Sequence, residues 1–195
     1  MTRIAVFASG NGTNAENLIR NLTCGKVVML LCNKPGAYVL QRARQLDVQT
    51  RIFSREELED PGHQNSLAGI LETNKIDLII LAGFLWKIPE HLIRQWPGRI
   101  LNIHPALLPK YGGPGMYGDR VHKAVLQNGE KESGITIHIV DPLYDHGQII
   151  FQATCPVDPS DTPETLAAKI HDLEQLHFPK VADRYISLTF KDQAV

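Results

Sequence analysis

Ile4-Ala-Val-Phe-Ala-Ser-Gly-Asn-Gly-Thr-Asn-Ala15 passes, within twelve residues, from an unbroken apolar run to a polar turn with two glycines and on into a helical pattern. The run Ile4 to Ala8 lacks the polar alternation of a half-exposed strand, so it reads as a strand buried on both faces. Such strands belong to parallel sheets with helices on either side. Gly10 and Gly12 permit a tight turn, and Thr13 to Cys24 continues as a helix. A strand that turns through glycines into a helix begins a right-handed crossover to a parallel neighbour.

The alternation continues outward from this segment. Lys26–Cys32 reads as a second strand, a helix follows near Ala37–Leu46, and Val48–Phe53 reads as a third strand. A helical stretch broken by Pro61 and Gly62 leads to a fourth strand, Asp77–Leu81; Pro89–Gln95 is a short helix and Arg99–Ile103 a fifth strand. From His104 to Gly118, three prolines (Pro105, Pro109, Pro114) and four glycines leave no regular element, so a long loop is expected there. A helix over Asp119–Gln127 follows, and the strands Gly134–Val140 and Gln148–Val157 lie close enough in sequence to pair antiparallel. Thr162-Pro-Glu-Thr opens a C-terminal helix, with proline just inside its cap. The expected fold is α/β and Rossmann-like, a mainly parallel central sheet flanked by helices, with antiparallel strands in the C-terminal part.

With 195 residues and neither a repeat nor a low-complexity tract, one domain spanning 1–195 is expected. A hydrophobic share of 43% against 21% charged residues excludes a disordered chain. Twenty Lys and Arg balance 21 Asp and Glu, which gives no reason to expect nucleic acid or an anionic membrane as partner. Cys24, Cys32 and Cys155 form no CxxC, so neither a disulfide framework nor a zinc site is suggested. The longest apolar run, Leu78 to Trp86, is nine residues, against the ~20 that a membrane-spanning helix needs. The start of the chain is unlike a secretory signal, so a soluble, cytoplasmic location is expected.

The glycine turn carries the first chemical signal. Amides at the start of a helix face outward and favour an anion, and Gly12, Thr13 and Asn14 stand where a phosphate would meet them. The alternative is a tight turn with no ligand. The spacing Gly10-x-Gly12-x-x-Ala15 also meets the loose dinucleotide fingerprint. That fingerprint wants a carboxylate at the end of the second strand, where this chain has Cys32-Asn-Lys34, so a lone phosphate fits better than NAD.

The second signal is Asn102-Ile-His104 at the end of the fifth strand. Residues two apart on a strand share a face, and the carboxyl ends of parallel strands are where α/β sheets bind ligands. Asp145, in Pro142-Leu-Tyr-Asp-His-Gly147, lies in a turn that can return beside them. An amide N–H can stabilise an oxyanion, His moves protons near neutral pH, and a carboxylate would raise the His pKa. No GxSxG occurs and no cysteine adjoins this His, so direct attack by a substrate nucleophile is favoured over a covalent enzyme intermediate. The bland readings are a structural hydrogen-bonding pair for Asn102 and His104 and a turn residue for Asp145. His63, His91 and His122 read as surface positions, His138 as a core or supporting residue. No metal motif occurs.

These residues bring a resemblance into view. Ser9-Gly-Asn-Gly-Thr-Asn14, Leu81-Ala-Gly-Phe84, Leu101-Asn-Ile-His-Pro-Ala-Leu-Leu-Pro-Lys-Tyr111 and Gly134-Ile-Thr-Ile-His138 closely resemble the phosphoribosylglycinamide formyltransferase family, the folate-dependent enzymes of purine synthesis, from residue 3 to about Pro179. The resemblance implies formyl transfer from 10-formyltetrahydrofolate, as co-substrate and without a metal, to the amine of glycinamide ribonucleotide. It implies catalysis by Asn102, His104 and Asp145, phosphate binding by Gly12, Thr13 and Asn14, and substrate contacts from Pro109 and Glu174. The folate site would use Leu85, Trp86, Lys87 and Ile88, Asn102, the wall Val140 to Asp145 with Asp141, and Arg55. The chain departs from the family at Leu85-Trp-Lys-Ile88, where Met-Arg-Ile-Leu is common. It also departs in a longer Tyr111–Gly118 loop and at His146, where a glycine is usual. The rivals are methionyl-tRNA formyltransferase, formyltetrahydrofolate hydrolase, an NAD-dependent oxidoreductase and a non-catalytic folate or nucleotide sensor. The first two normally carry an additional domain. The sensor would have no need of the three catalytic residues together.

Overall fold

In a computed structural model, residues 1–190 are described. The strands are β1 (Thr2–Ala8), β2 (Gly25–Cys32), β3 (Gln49–Ile52), β4 (Leu78–Leu81), β5 (Ile100–His104), β6 (Glu132–Ile139) and β7 (Ile149–Pro156). The helices are α1 (Thr13–Asn21), α2 (Val39–Gln45), α3 (Arg55–Glu59), α4 (Leu67–Thr73), α5 (Glu90–Gln95), α6 (Asp119–Gln127) and α7 (Pro163–Thr189). The strands form one sheet in the order β3-β2-β1-β4-β5-β6-β7. Pairing is parallel from β3 through β5 and antiparallel at β5–β6 and β6–β7, giving the Rossmann-like α/β architecture that the alternation predicts.

The apolar strands supply both faces of this sheet. Along β1, Ile4, Val6 and Ala8 join a core with α1, α2, α6 and α7, while Ala5 and Phe7 join the opposite core with α3, α4 and α5. This is the two-residue period of a strand buried on both sides.

Two boundaries have identifiable causes. Helix α1 stops at Asn21, short of the expected Cys24, because the Asp183 carboxylate of α7 accepts hydrogen bonds from the N–H groups of Thr23 and Cys24. The stretch broken by Pro61-Gly62 becomes α3 and α4, each begun by a serine cap, Ser54 and Ser66. The three cysteines are free thiols. Among the described residues no helix is long and apolar enough to cross a membrane.

Candidate active site

The strand order reverses between β1 and β4, and there a cleft of about 640 Å³ opens at the carboxyl ends of β1, β4 and β5. Its two halves are joined by short contacts: Ser9 N–H donates to the Gly83 carbonyl at 3.1 Å, and Leu85 N–H to Ser9 Oγ at 3.1 Å.

At one end lies the β1–α1 turn, with Gly12, Thr13 and Asn14 on the cleft wall. Gly12 caps α1 with φ 83°, and a Cβ there would stand 2.2 Å from Val39 Cγ2. Glycine is thus required by α2 packing as well as by the turn. The Asn14 side chain is committed to α7: its Nδ2 donates to Glu174 Oε2 at 2.8 Å, and Gln175 Nε2 donates to its Oδ1 at 3.1 Å. Its backbone N–H remains for an anion. Glu174 and His171 line the same end; their 3.3 Å contact raises the His171 pKa.

At the other end Leu85 to Ile88 face Val140, Asp141 and Leu143 to Asp145. Trp86 packs edge-on against Phe53 and Phe84, and Lys87 Nζ lies 5.6 Å from the Tyr144 ring centroid. The departures from the common Met-Arg-Ile-Leu are therefore built into the wall. Arg55 lies outside the cleft lining. Its guanidinium stacks 5.0 Å from the Trp86 ring and reaches the cleft only through it.

Asn102, His104 and Asp145 meet between these ends. His104 is 4% exposed, and its Nε2–H donates to the Tyr111 carbonyl at 2.8 Å. Its Nδ1 lies 3.6 Å from Asp145 Oδ2, which also accepts from Gly113 N–H at 2.9 Å. Asn102 Nδ2 lies 3.0 Å from His138 Nε2 and 3.5 Å from Asp145 Oδ1. The N–H groups that the sequence offers to an oxyanion are thus directed at protein acceptors. Burial lowers the His104 pKa more than Asp145 and the Tyr111 carbonyl raise it; the carboxylate acts in the expected direction, but the net direction is down. Burial also pushes Asp145 up, but its polar neighbours, the Gly113 N–H among them, outweigh burial and hold it below its ordinary value.

Two further expectations are corrected, those for Pro109 and His122. Pro109 does not line the cleft. The chain folds back after His104 because buried Leu108 donates its N–H to Thr136 Oγ1 at 3.0 Å, and Pro109 emerges beside a separate depression with Lys110 and Glu130. Pro105 is on the cleft wall instead. The left-handed backbone of the 142–147 turn falls on Asp145 itself, φ 50°, and not on His146. His146 instead sets its Nδ1 2.8 Å from Asp141 Oδ2. His122 is buried at 5% exposure on the cleft wall, and burial lowers its pKa. Its position three residues before Val125, on the inner side of α6, is the signal that a helical reading could have used. Among the described residues no cluster of His, Cys, Asp or Glu is arranged to hold a metal ion.

A Rossmann-like sheet with a glycine turn, an Asn–His–Asp cluster and a cleft at the switch point meets a family-wide match: the model of the formyl transferase family covers residues 2–182, and the chain belongs to that family. It is 40% identical over 182 residues to the chloroplastic phosphoribosylglycinamide formyltransferase of Arabidopsis thaliana, covering 90% of this chain and 62% of that protein. It is 40% identical over 185 residues to the trifunctional purine biosynthetic protein adenosine-3 of Drosophila melanogaster, covering 91% of this chain and 13% of that one. The chain thus spans less than two thirds of either relative. The crystal structure of phosphoribosylglycinamide formyltransferase from Streptococcus pneumoniae superposes with a TM-score of 0.84 at 36% identity, covering 94% of this chain and 98% of that one.

Proposed function

We propose that the chain transfers a formyl group from 10-formyltetrahydrofolate to the amine of glycinamide ribonucleotide, a step of purine synthesis. The observation that carries this reading is the placement of the Asn102–His104–Asp145 cluster midway along one cleft, between the anion-favouring start of α1 and an aromatic and aliphatic wall. The nucleotide phosphate sits on the amides of Gly12, Thr13 and Asn14, with Glu174 toward its sugar. The pteridine lies between Leu85–Ile88 and Val140–Asp145, partly on backbone groups. Both substrates are small molecules.

The unprotonated amine attacks the formyl carbon. The new N–C bond forms as the C=O electrons move to oxygen, and collapse of that adduct breaks the bond to N10. The proton lost by the amine reaches N10 by way of His104. His104 is neutral at rest because burial dominates its environment, so it is ready to take up a proton. Asp145, 3.6 Å from Nδ1, favours the imidazolium that results. That imidazolium supplies positive charge beside the developing oxyanion. Holding both reactants in one cleft supplies the proximity on which such two-substrate transfers depend.

Incubating the protein with both substrates and following deformylation of the folate together with formylation of the nucleotide tests the reading. Stoichiometric appearance of formylated nucleotide and tetrahydrofolate is expected. Folate hydrolysis without nucleotide product, or no turnover from folded protein, overturns it.

A further inference from the structure

The Asn102 carboxamide has two N–H donors at one end and an acceptor oxygen at the other, and its neighbours determine which end faces the cleft. Asn102 and His138 are register partners across β5 and β6. His138 is 2% exposed, with Nδ1 3.1 Å from the Ile139 carbonyl oxygen. A carbonyl only accepts, so Nδ1 carries the ring proton and Nε2 faces the amide as the acceptor. That Nε2 lies 3.0 Å from the Asn102 amide. Asp145 Oδ1 lies 3.5 Å from the same Asn102 atom and, as a carboxylate, is likewise an acceptor; His138 Nε2 itself stands 3.7 Å from that oxygen, beyond hydrogen-bond distance. Both neighbours require donors, and only the NH₂ end supplies two. The reversed amide would set its oxygen against a ring lone pair and a carboxylate oxygen at once, leaving three acceptors in contact within a half-buried site.

We infer that His138 is a positioning residue which, with Asp145, holds the Asn102 amide with Oδ1 toward the cleft, where it accepts a hydrogen bond from the substrate amine. The inference rests on the formyl-transfer reading above. The attacking nitrogen retains N–H bonds while its lone pair engages the formyl carbon, and it becomes positive as the N–C bond forms. An acceptor behind it aims the lone pair forward and stabilises the growing charge. A donor in that place would bind the lone pair and oppose the attack. The half-positive nitrogen is thus matched by Asn102 Oδ1, and the half-negative oxygen by the His104 imidazolium.

The test uses the full chain with ¹⁵N-labelled histidine, together with His138→Gln and His138→Leu. In the wild type, His138 is expected to show a protonated Nδ1 and an unprotonated Nε2 at neutral pH; the opposite tautomer overturns the inference. In His138→Gln the side-chain oxygen takes the place of Nε2 as acceptor, and kcat stays within about threefold of wild type. His138→Leu has similar bulk and no acceptor, and kcat falls by about tenfold, the scale of one lost hydrogen bond, with the KM for the folate unchanged. Thermal unfolding confirms that both variants are folded. A leucine variant as fast as wild type, or glutamine and leucine variants equally slow, overturns the inference. If the wild type transfers no formyl group, the functional reading fails by itself, because the tautomer measurement still decides how the amide is held.

Discussion

Thr136 sits opposite His104 in the β5–β6 register and is fully buried. Its hydroxyl donates to the Ala106 carbonyl at 2.6 Å and accepts from Leu108 N–H at 3.0 Å and Gln152 Nε2 at 2.9 Å. Thr136→Val keeps the shape and deletes this hub. Leu108 N–H and the Ala106 carbonyl are then stranded in a dry interior, and each stranded group costs about 1–3 kcal/mol. Gln152 retains the Leu108 carbonyl at 3.0 Å and is exposed, so it adds little. Because the two stranded groups relax together, the expected loss is about 2–4 kcal/mol. At about 2–4 °C per kcal/mol, the thermal midpoint falls by roughly 4–16 °C. Thr136→Ser retains the hydroxyl and loses one methyl, for about 1 kcal/mol. Urea unfolding and calorimetry on the three proteins check this ordering, and turnover should fall in the valine variant because residues 106–108 set the backbone directly after His104. A valine variant within about 0.5 kcal/mol of wild type, or a serine variant costing more than valine, would refute the reasoning.

His104→Ala should leave both substrates bound and lower turnover by roughly two to four orders of magnitude; equilibrium binding measured beside single-turnover rates checks this, and near-normal turnover contradicts it. Asp145→Asn removes the charge that pushes the His104 pKa upward, so NMR titration should find it lower still, and an unchanged value would show that Asp145 does not act on the ring by charge. Burial holds His104 and His122 below the ordinary histidine value, so the unfolded chain binds more protons than the folded one once the pH drops through the unfolded pKa of about 6.5. Stability should therefore decline from pH 7 toward pH 5, and urea midpoints for His122→Asn should decline less steeply; equal slopes would refute this. Pro109→Ala should change neither KM by more than about twofold, as befits an exposed residue away from the cleft, and steady-state kinetics settle it.

The parallel half of the sheet was legible because strands buried on both faces announce themselves as unbroken apolar runs, as in Ile4–Ala8 and Leu78–Leu81. Asn102 and His104 were legible as a pair because a strand places alternate residues on one side. Other features depend on packing between distant segments, which spacing does not express. The collision awaiting a Cβ at Gly12 comes from Val39, so Gly12→Val would disturb α2 as well as any anion site. The sign of the His104 pKa depends on burial, whereas the sequence shows only the nearby carboxylate. Pro109 was misplaced because nothing local reveals that Thr136 draws Leu108 back toward β6. In the 142–147 turn the left-handed backbone falls on Asp145, and a Cβ at Gly147 would stand 1.8 Å from the Ile139 carbonyl oxygen; local spacing reveals neither.

Helix α7 supplies Glu174 to Asn14 and Asp183 to Thr23, contacts that span 160 residues of chain. During synthesis, the β1–α1 unit leaves the ribosome long before those partners exist. The end of the cleft at the β1–α1 turn therefore stays unfinished until α7 has emerged, whereas the opposite end, between Leu85–Ile88 and Val140–Asp145, has all its residues once Asp145 has been made.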